Sequence, residues 1–159
     1  MYELVYTSTA NSTINNQDLL DILNKAQEFN LKNHITGCLL YHNYKFIQFL
    51  EGDKKVVKAL FLRIKKDKRH FKVLKIVDNE KEKRTFQNWV MAFYNFEADK
   101  IDSVGKLFLV DTISWFNILP IEHTEATKKF QAISKQLLQE LKIIKFINPN
   151  QSSDKKEYY

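Results

Sequence analysis

Residues Lys45–Gly52, Lys-Phe-Ile-Gln-Phe-Leu-Glu-Gly, set a primary amide in the middle of an otherwise apolar strand pattern. Side chains alternate along a strand, so Phe46, Gln48 and Leu50 share one face while Ile47 and Phe49 share the other. Gln48 brings two donors and two acceptor lone pairs to a face that its neighbours make apolar, and burying such a group unpartnered costs about 2 kcal/mol or more. Any fold this segment enters must therefore bring something polar to Gln48. The simplest partner is a nearby backbone or hydroxyl group in a structural role; the alternative is a functional site.

The periodicity around this segment outlines a single mixed domain. Tyr2–Ser8 alternates, with Tyr2, Leu4 and Tyr6 on one face, and predicts a first strand. Asn15 is placed to cap a helix whose third position is Asp18 and whose apolar stripe, Leu19, Leu20, Leu23 and Ala26, runs to about Asn30. Ile35–Tyr41 and Lys45–Glu51 read as two strands joined by the short connection His42-Asn43-Tyr44. Asp53 caps a second helix with Val56, Val57, Leu60, Phe61 and Ile64 at helical spacing. Val73–Val77 predicts a fourth strand, the charged run Asp78–Arg84 a turn or edge, and Trp89–Phe96 a fifth strand. The order suits an α+β fold, a ferredoxin-like βαββαββ sheet with two helices on one face. Beyond it, Lys100–Val110 and a segment capped by Thr124, with Phe130, Ile133, Leu137, Leu141 and Ile144 along one side, predict two C-terminal helices.

Composition narrows the function classes. A chain of 159 residues suits one domain with a real core, and no apolar run approaches the length of about 20 residues that a membrane span needs. The N-terminus starts directly on a strand pattern without a basic region and an apolar stretch, so a cytoplasmic protein is expected. The net charge of +6 is local: Lys54–Arg84 holds 13 Lys or Arg against 4 Asp or Glu. Such a patch could attract nucleic acid, an acidic protein or a phosphorylated ligand, or be a solvated helix face. Three glycines are too few for a glycine-rich phosphate loop, and the four histidines show no metal-ligand spacing. The single cysteine, Cys38, sits in an apolar run and reads as a buried thiol rather than a nucleophile.

Taken in order, Leu4-Val-Tyr-Thr-Ser8, Asn30, Ile35-Thr-Gly37, Phe46-Ile-Gln-Phe-Leu-Glu-Gly52, Arg63-Ile-Lys-Lys-Asp-Lys-Arg-His70 and Phe86-Gln-Asn-Trp-Val-Met91 resemble the BLUF family, the blue-light sensors that use FAD. The resemblance implies FAD bound noncovalently between the two helices, its ring touched by Tyr6 and Gln48 from adjacent strands. It implies that Tyr6 gives an electron and then a proton to photoexcited flavin. Gln48 would relay between phenol and ring, leaving hydrogen bonds rearranged by rotation or tautomerisation of its amide. Asn30 matches the asparagine that bonds the flavin's polar edge, although asparagine also ends helices; before it stands Phe29, where relatives more often carry a polar residue. Arg63, Asp67, Arg69 and His70 match the group that holds the ring edge and the phosphate-bearing tail, and on their own read equally as a solvated charge run. Trp89 and Met91 match a Trp-x-Met segment proposed to respond to the glutamine, and read equally as core packing.

The organisation expected from this is a flavin-binding photosensor domain over 1–97, a helical extension over 98–147 and a flexible tail over 148–159. The extension has room for two helices and no catalytic output domain. The expected protein is a short stand-alone photoreceptor that signals without turnover, through light-controlled association with itself or with a downstream protein partner. The rival is a flavin-free interaction or nucleic-acid-binding domain of the same layout, with the basic helix as its contact surface.

Overall fold

Residues 1–42, 44–86 and 123–140 are described by the computed structural model. The elements are β1 (Tyr2–Ala10), α1 (Asn16–Lys32), β2 (Thr36–His42), β3 (Lys45–Gly52), α2 (Lys54–Lys66), β4 (His70–Glu80) and α3 (Glu125–Glu140). The strands form one antiparallel sheet in the order β2-β3-β1-β4. This α+β layout agrees with the first six expected elements, each helix linking two strands that lie parallel with a third between them. The expected strand Trp89–Phe96, the helix Lys100–Val110 and the tail lie outside the described residues, as do Trp89 and Met91.

Local chemistry sets the helix ends. Asn15 and Asp18 form a reciprocal capping box at the start of α1, and the Asp53 carboxylate accepts from the Lys55 and Val56 amides at the start of α2. The C-cap of α1 is Asn33, whose backbone and side chain both donate to the Phe29 carbonyl, so Asn30 stands inside the helix rather than ending it. Thr124 caps α3 through its hydroxyl, which accepts from the Thr127 amide at 3.1 Å.

Beneath α1 and α2 the core divides in two. Tyr2, Leu4, Tyr6, Ile35, Leu50 and Val57 pack with Phe29, Leu60, Phe61 and Ile64. Ala10, Leu19, Leu39, Tyr41 and Phe46 pack with Ile14, Ile22 and Leu23. On the opposite face of the sheet, Phe49 meets Phe86 and Phe130 of α3 edge to face, with ring centroids 5.4 and 5.7 Å apart. One face of α3, Ala126, Phe130 and Ser134, is buried with them. The expected extension helix thus helps to cover a second sheet face.

Two expectations are corrected. β4 is longer than Val73–Val77 at both ends, because β1 offers it a ladder from Tyr2↔Glu80 to Ala10↔His70. Two irregularities, between Val5 and Tyr6 and between Thr7 and Thr9, absorb its extra residues, one of which, Lys72, has φ 51°. The charged run Asp78–Arg84, expected as a turn or edge, is divided: Asp78–Glu80 continue β4 at the end of the four-strand order, and Lys81, rather than being solvated, is buried in ion pairs with Glu3 and Glu51.

Gly37 permits the close approach of β2 to β3. Its φ is +155°, and a Cβ there would lie 1.9 Å from the Phe49 carbonyl oxygen. Gly37→Ala is expected to destabilise the protein by about 3 kcal/mol or more, through strain and displacement of backbone. Chemical denaturation measures this, and a loss below about 1 kcal/mol would contradict the close approach.

Candidate functional site

The register of β1 on β3 places Tyr6 directly opposite Gln48, and β2 places Leu39 on the other side of the glutamine. Opposed residues on one face of an antiparallel pair are near enough for side chains to meet. Here the Tyr6 hydroxyl donates to Gln48 Oε1 at 2.5 Å. The polar partner that the apolar strand demanded is a phenol from the neighbouring strand.

Both groups line a cavity of about 440 Å³ that lies between the two halves of the core. Its wall takes Tyr6, Phe29, Leu60 and Ile64 from one half and Ile22, Leu39 and Phe46 from the other. The volume suits a drug-sized or cofactor-sized ligand, and an apolar wall with a few convergent polar groups is the usual form of such a site. Asn30, Gln48, Arg63, Asp67, Arg69 and His70 also line it. The structure therefore brings together all seven of the expected residues that it describes.

Their states differ in an informative way. Asn30 is 1% exposed, yet neither its Oδ1 nor its Nδ2 has a hydrogen-bond partner among the described residues. An amide left in that condition costs about 1–3 kcal/mol, so it marks a place where a ligand's polar edge fits. Gln48 spends one acceptor on Tyr6, and among the described residues its Nε2 has no protein acceptor. Burial, and secondarily the Asp67 carboxylate, holds the Tyr6 phenol well above its ordinary pKa. The phenol is thus a neutral donor at any physiological pH.

Asp67 and Arg69 form a forked pair in which the guanidinium Nε donates to both carboxylate oxygens at 3.0 Å. The hydrogen bond from Arg69 is the main reason that Asp67 stays below the usual carboxylate range. The Nε2 of His70 is 2.9 Å from the Ile64 carbonyl, which can only accept, so Nε2 carries the proton. Its Nδ1 then accepts from the Ser8 hydroxyl at 2.9 Å. Burial lowers the pKa of His70, which keeps the ring in this neutral form. Arg63 is held differently, its guanidinium stacked over the Phe29 ring at 4.6 Å.

Sequence reasoning missed Lys25 and Lys66, which add charge to the cavity wall, and Ser8, which orients His70. Alternation along β1 was the available signal for Ser8, since it shares a face with Tyr6. For Lys25, the helical spacing from Ile22 and Phe29 was the signal.

Comparison with known proteins agrees with this geometry. The photoactivated adenylate cyclase subunit beta of Euglena gracilis is 43% identical over 67 residues, which are 42% of this chain and 8% of that protein. The blue light- and temperature-regulated antirepressor BluF of Escherichia coli K12 is 25% identical over 101 residues, covering 64% of this chain and 25% of that one. The chain thus spans a quarter or less of the length of these two relatives. Among solved structures, the photo-activated state of BlsA superposes with a TM-score of 0.59 at 30% identity, covering 82% of this chain and 90% of that chain. The family model for sensors of blue light using FAD matches residues 1–92. With that match over more than half of its length, and a phenol, a glutamine and an orphaned asparagine amide facing one cavity, this chain belongs to the BLUF family of blue-light sensors using FAD.

Proposed function

We propose that Tyr6 and Gln48 are the photochemical pair of this sensor, and that its output is a light-dependent change in association with a protein partner or a second copy of the chain. The observation that carries the reading is the 2.5 Å hydrogen bond from the Tyr6 phenol to Gln48 Oε1 at the wall of the cavity. The residues present fit FAD: an orphaned amide at Asn30 suits a flavin's polar edge, and Ile22, Leu39, Phe46 and Leu60 suit the faces of its ring. Asn30, Gln48, Arg63, Asp67, Arg69 and His70 are the residues that would hold it. Bound FAD supplies the absorption of blue light and, once excited, an acceptor for one electron.

The remaining chemistry belongs to the protein. A phenol that gives up an electron becomes strongly acidic, and the hydrogen bond to Gln48 Oε1 is already the path for its proton. An amide suits the next step because it holds an acceptor and donors on one planar group. Rotation would present Nε2 to Tyr6 in place of Oε1; tautomerisation would leave a proton on the oxygen. Either change reverses the direction of the Tyr6–Gln48 hydrogen bond and alters what Gln48 offers to the cavity. The raised pKa of Tyr6 favours the protonated phenol as the resting form to which the pair returns.

Signalling rather than turnover is the reading for the domain itself. Support for a protein partner comes from the relative that is an antirepressor; other relatives are photoactivated adenylate cyclase subunits. The residues after Phe86, with Trp89 and Met91 among them, and α3 are the proposed output region.

The purified protein is expected to be yellow and to show a small, reversible red shift of its flavin band under blue light. A colourless protein that takes up no added FAD would refute the reading. Gln48→Leu and Tyr6→Phe should each retain flavin and lose the normal red shift, and an unchanged photocycle in either would remove that residue from the pair. Asn30→Leu is expected to stabilise the flavin-free protein by about 1 kcal/mol, because it removes an unpaired buried amide, while weakening FAD binding about tenfold or more. Denaturation of the flavin-free form and titration with FAD measure the two effects, and an affinity equal to wild type would rule out a contact at Asn30.

A further inference from the structure

Glu3, Glu51 and Lys81 carry three charged side chains that are fully buried on the face of the sheet opposite the cavity. Strand alternation places Glu3 and Glu51 there, since Tyr2, Leu4, Gln48 and Leu50 take the other face. Lys81 Nζ lies 2.6 Å from Glu51 Oε2 and 2.9 Å from Glu3 Oε2, and it also donates to the Thr85 hydroxyl. The Glu51 carboxylate accepts from the Thr85 amide at 2.9 Å, the Phe86 amide at 2.7 Å and the Thr36 hydroxyl at 2.8 Å. Arg84 closes the group by donating to the Thr36 hydroxyl and the His34 carbonyl, both at 2.7 Å.

Stability alone does not explain this arrangement. A buried ion group is often no more stable than apolar residues of the same volume, although removing one partner is strongly destabilising. The best-attested use of such a group is to fix one arrangement of the chain against others. What it fixes here is the segment from Lys81 to Phe86, tied to β3 at Glu51. Glu51 is three residues along the same strand from Gln48, and between them Phe49 packs against Phe86 and Phe130.

Resting on the light-sensor reading above, we propose that this clasp carries a change at Gln48 out of the cavity: β3 transmits it through its backbone to Phe49 and Glu51, and from them to segment 81–86 and to α3. Two amide donors on one carboxylate are sensitive to direction. A tilt of Glu51 weakens one of the Thr85 and Phe86 bonds before the other and loosens the start of the chain that leads to residues 87–92. The Phe49–Phe130 contact passes the same displacement to α3. Lys81 and Glu3 are positioning residues: Lys81 bridges the two carboxylates and holds that of Glu51 in place.

The test is amide hydrogen exchange of the full chain loaded with FAD, in the dark and under blue light, with the red shift recorded on the same samples. Two variants are compared with wild type. Glu51→Gln keeps the side-chain shape but sets an NH2 group among backbone donors. Glu3→Gln/Glu51→Gln/Lys81→Met removes all three buried charges together and retains the test if the single variant does not fold. In wild type, blue light is expected to raise exchange at Thr85, Phe86 and the first turns of α3. In the variants the red shift should persist while that light-minus-dark difference falls about fivefold. Wild type with a red shift but no exchange difference at 81–86, or a folded variant that keeps the wild-type difference, would overturn the clasp and leave the photosensor reading intact. Loss of the red shift in wild type itself would overturn both.

Discussion

The pairing register of β1 on β3 is the constraint from which both polar systems of this protein follow. With Tyr6 opposite Gln48, every even-numbered residue of β1 from Tyr2 to Ala10 lies on the cavity face, and Glu3 and Glu51 lie opposite each other on the far face. A slip of one residue would reverse this. It would put Gln48 among Phe86 and Phe130 and turn Glu51 into an apolar core with no lysine to meet it. A register that satisfies one system therefore satisfies the other, and the wrong register fails twice. Such mutual support is what gives a sequence a single low-lying fold.

The two sheet faces treat their polar groups in opposite ways, and the difference separates structure from function. On the far face each carboxylate oxygen of Glu51 and the ammonium of Lys81 has hydrogen-bond or ion-pair partners, and Glu3 Oε2, which accepts no hydrogen bond among the described residues, still lies 2.9 Å from the Lys81 ammonium. On the cavity face Asn30 has none among the described residues, although it is as deeply buried. Buried polar groups are paired in the great majority of native proteins, so an unpaired one beside a cavity implies a missing partner rather than an error of folding. The phenol and amide of Tyr6 and Gln48 lie between these extremes. They satisfy each other with one bond, and among the described residues the amide nitrogen is left uncommitted.

Much of this was legible in the sequence, and the misses have physical reasons. Alternation in Tyr2–Ser8 and Lys45–Glu51 and the caps at Asn15 and Asp53 were enough to place the first five elements. The polar anomaly at Gln48 led to the site because a lone amide in an apolar strand is conspicuous. Glu3, Glu51 and Lys81 were not conspicuous: Glu3 and Glu51 fall on the outward-alternating positions of their strands and Lys81 in a charged run, where charges are ordinarily solvated, and their burial depends on a second layer formed in part by α3, far along the chain. The true length of β4 was hidden for a related reason. Its irregular pairing with β1 breaks the alternation by which a strand is read, so His70, which returns to the cavity face opposite Ala10, seemed to belong to a helix end.

The local surplus of basic residues resolves along the same lines. Within Lys54–Glu80, Lys54 pairs with Glu80, Arg69 with Asp67 and Lys75 with Asp78, while Lys81 is consumed by the buried clasp. Lys25, Arg63 and Lys66 at the cavity wall form no ion pair among the described residues. The two arginines there illustrate two ways of holding a guanidinium. Pairing with Asp67 orients Arg69 and cancels its charge. Stacking on Phe29 orients Arg63 and leaves its charge available. A wall that combines an unpaired amide, apolar faces and uncancelled positive charge is suited to a ligand with a polar ring edge, flat apolar faces and an anionic tail, which is the chemistry of FAD. Phe29 contributes to that wall by stacking under the Arg63 guanidinium, which leaves the charge free of a carboxylate partner among the described residues.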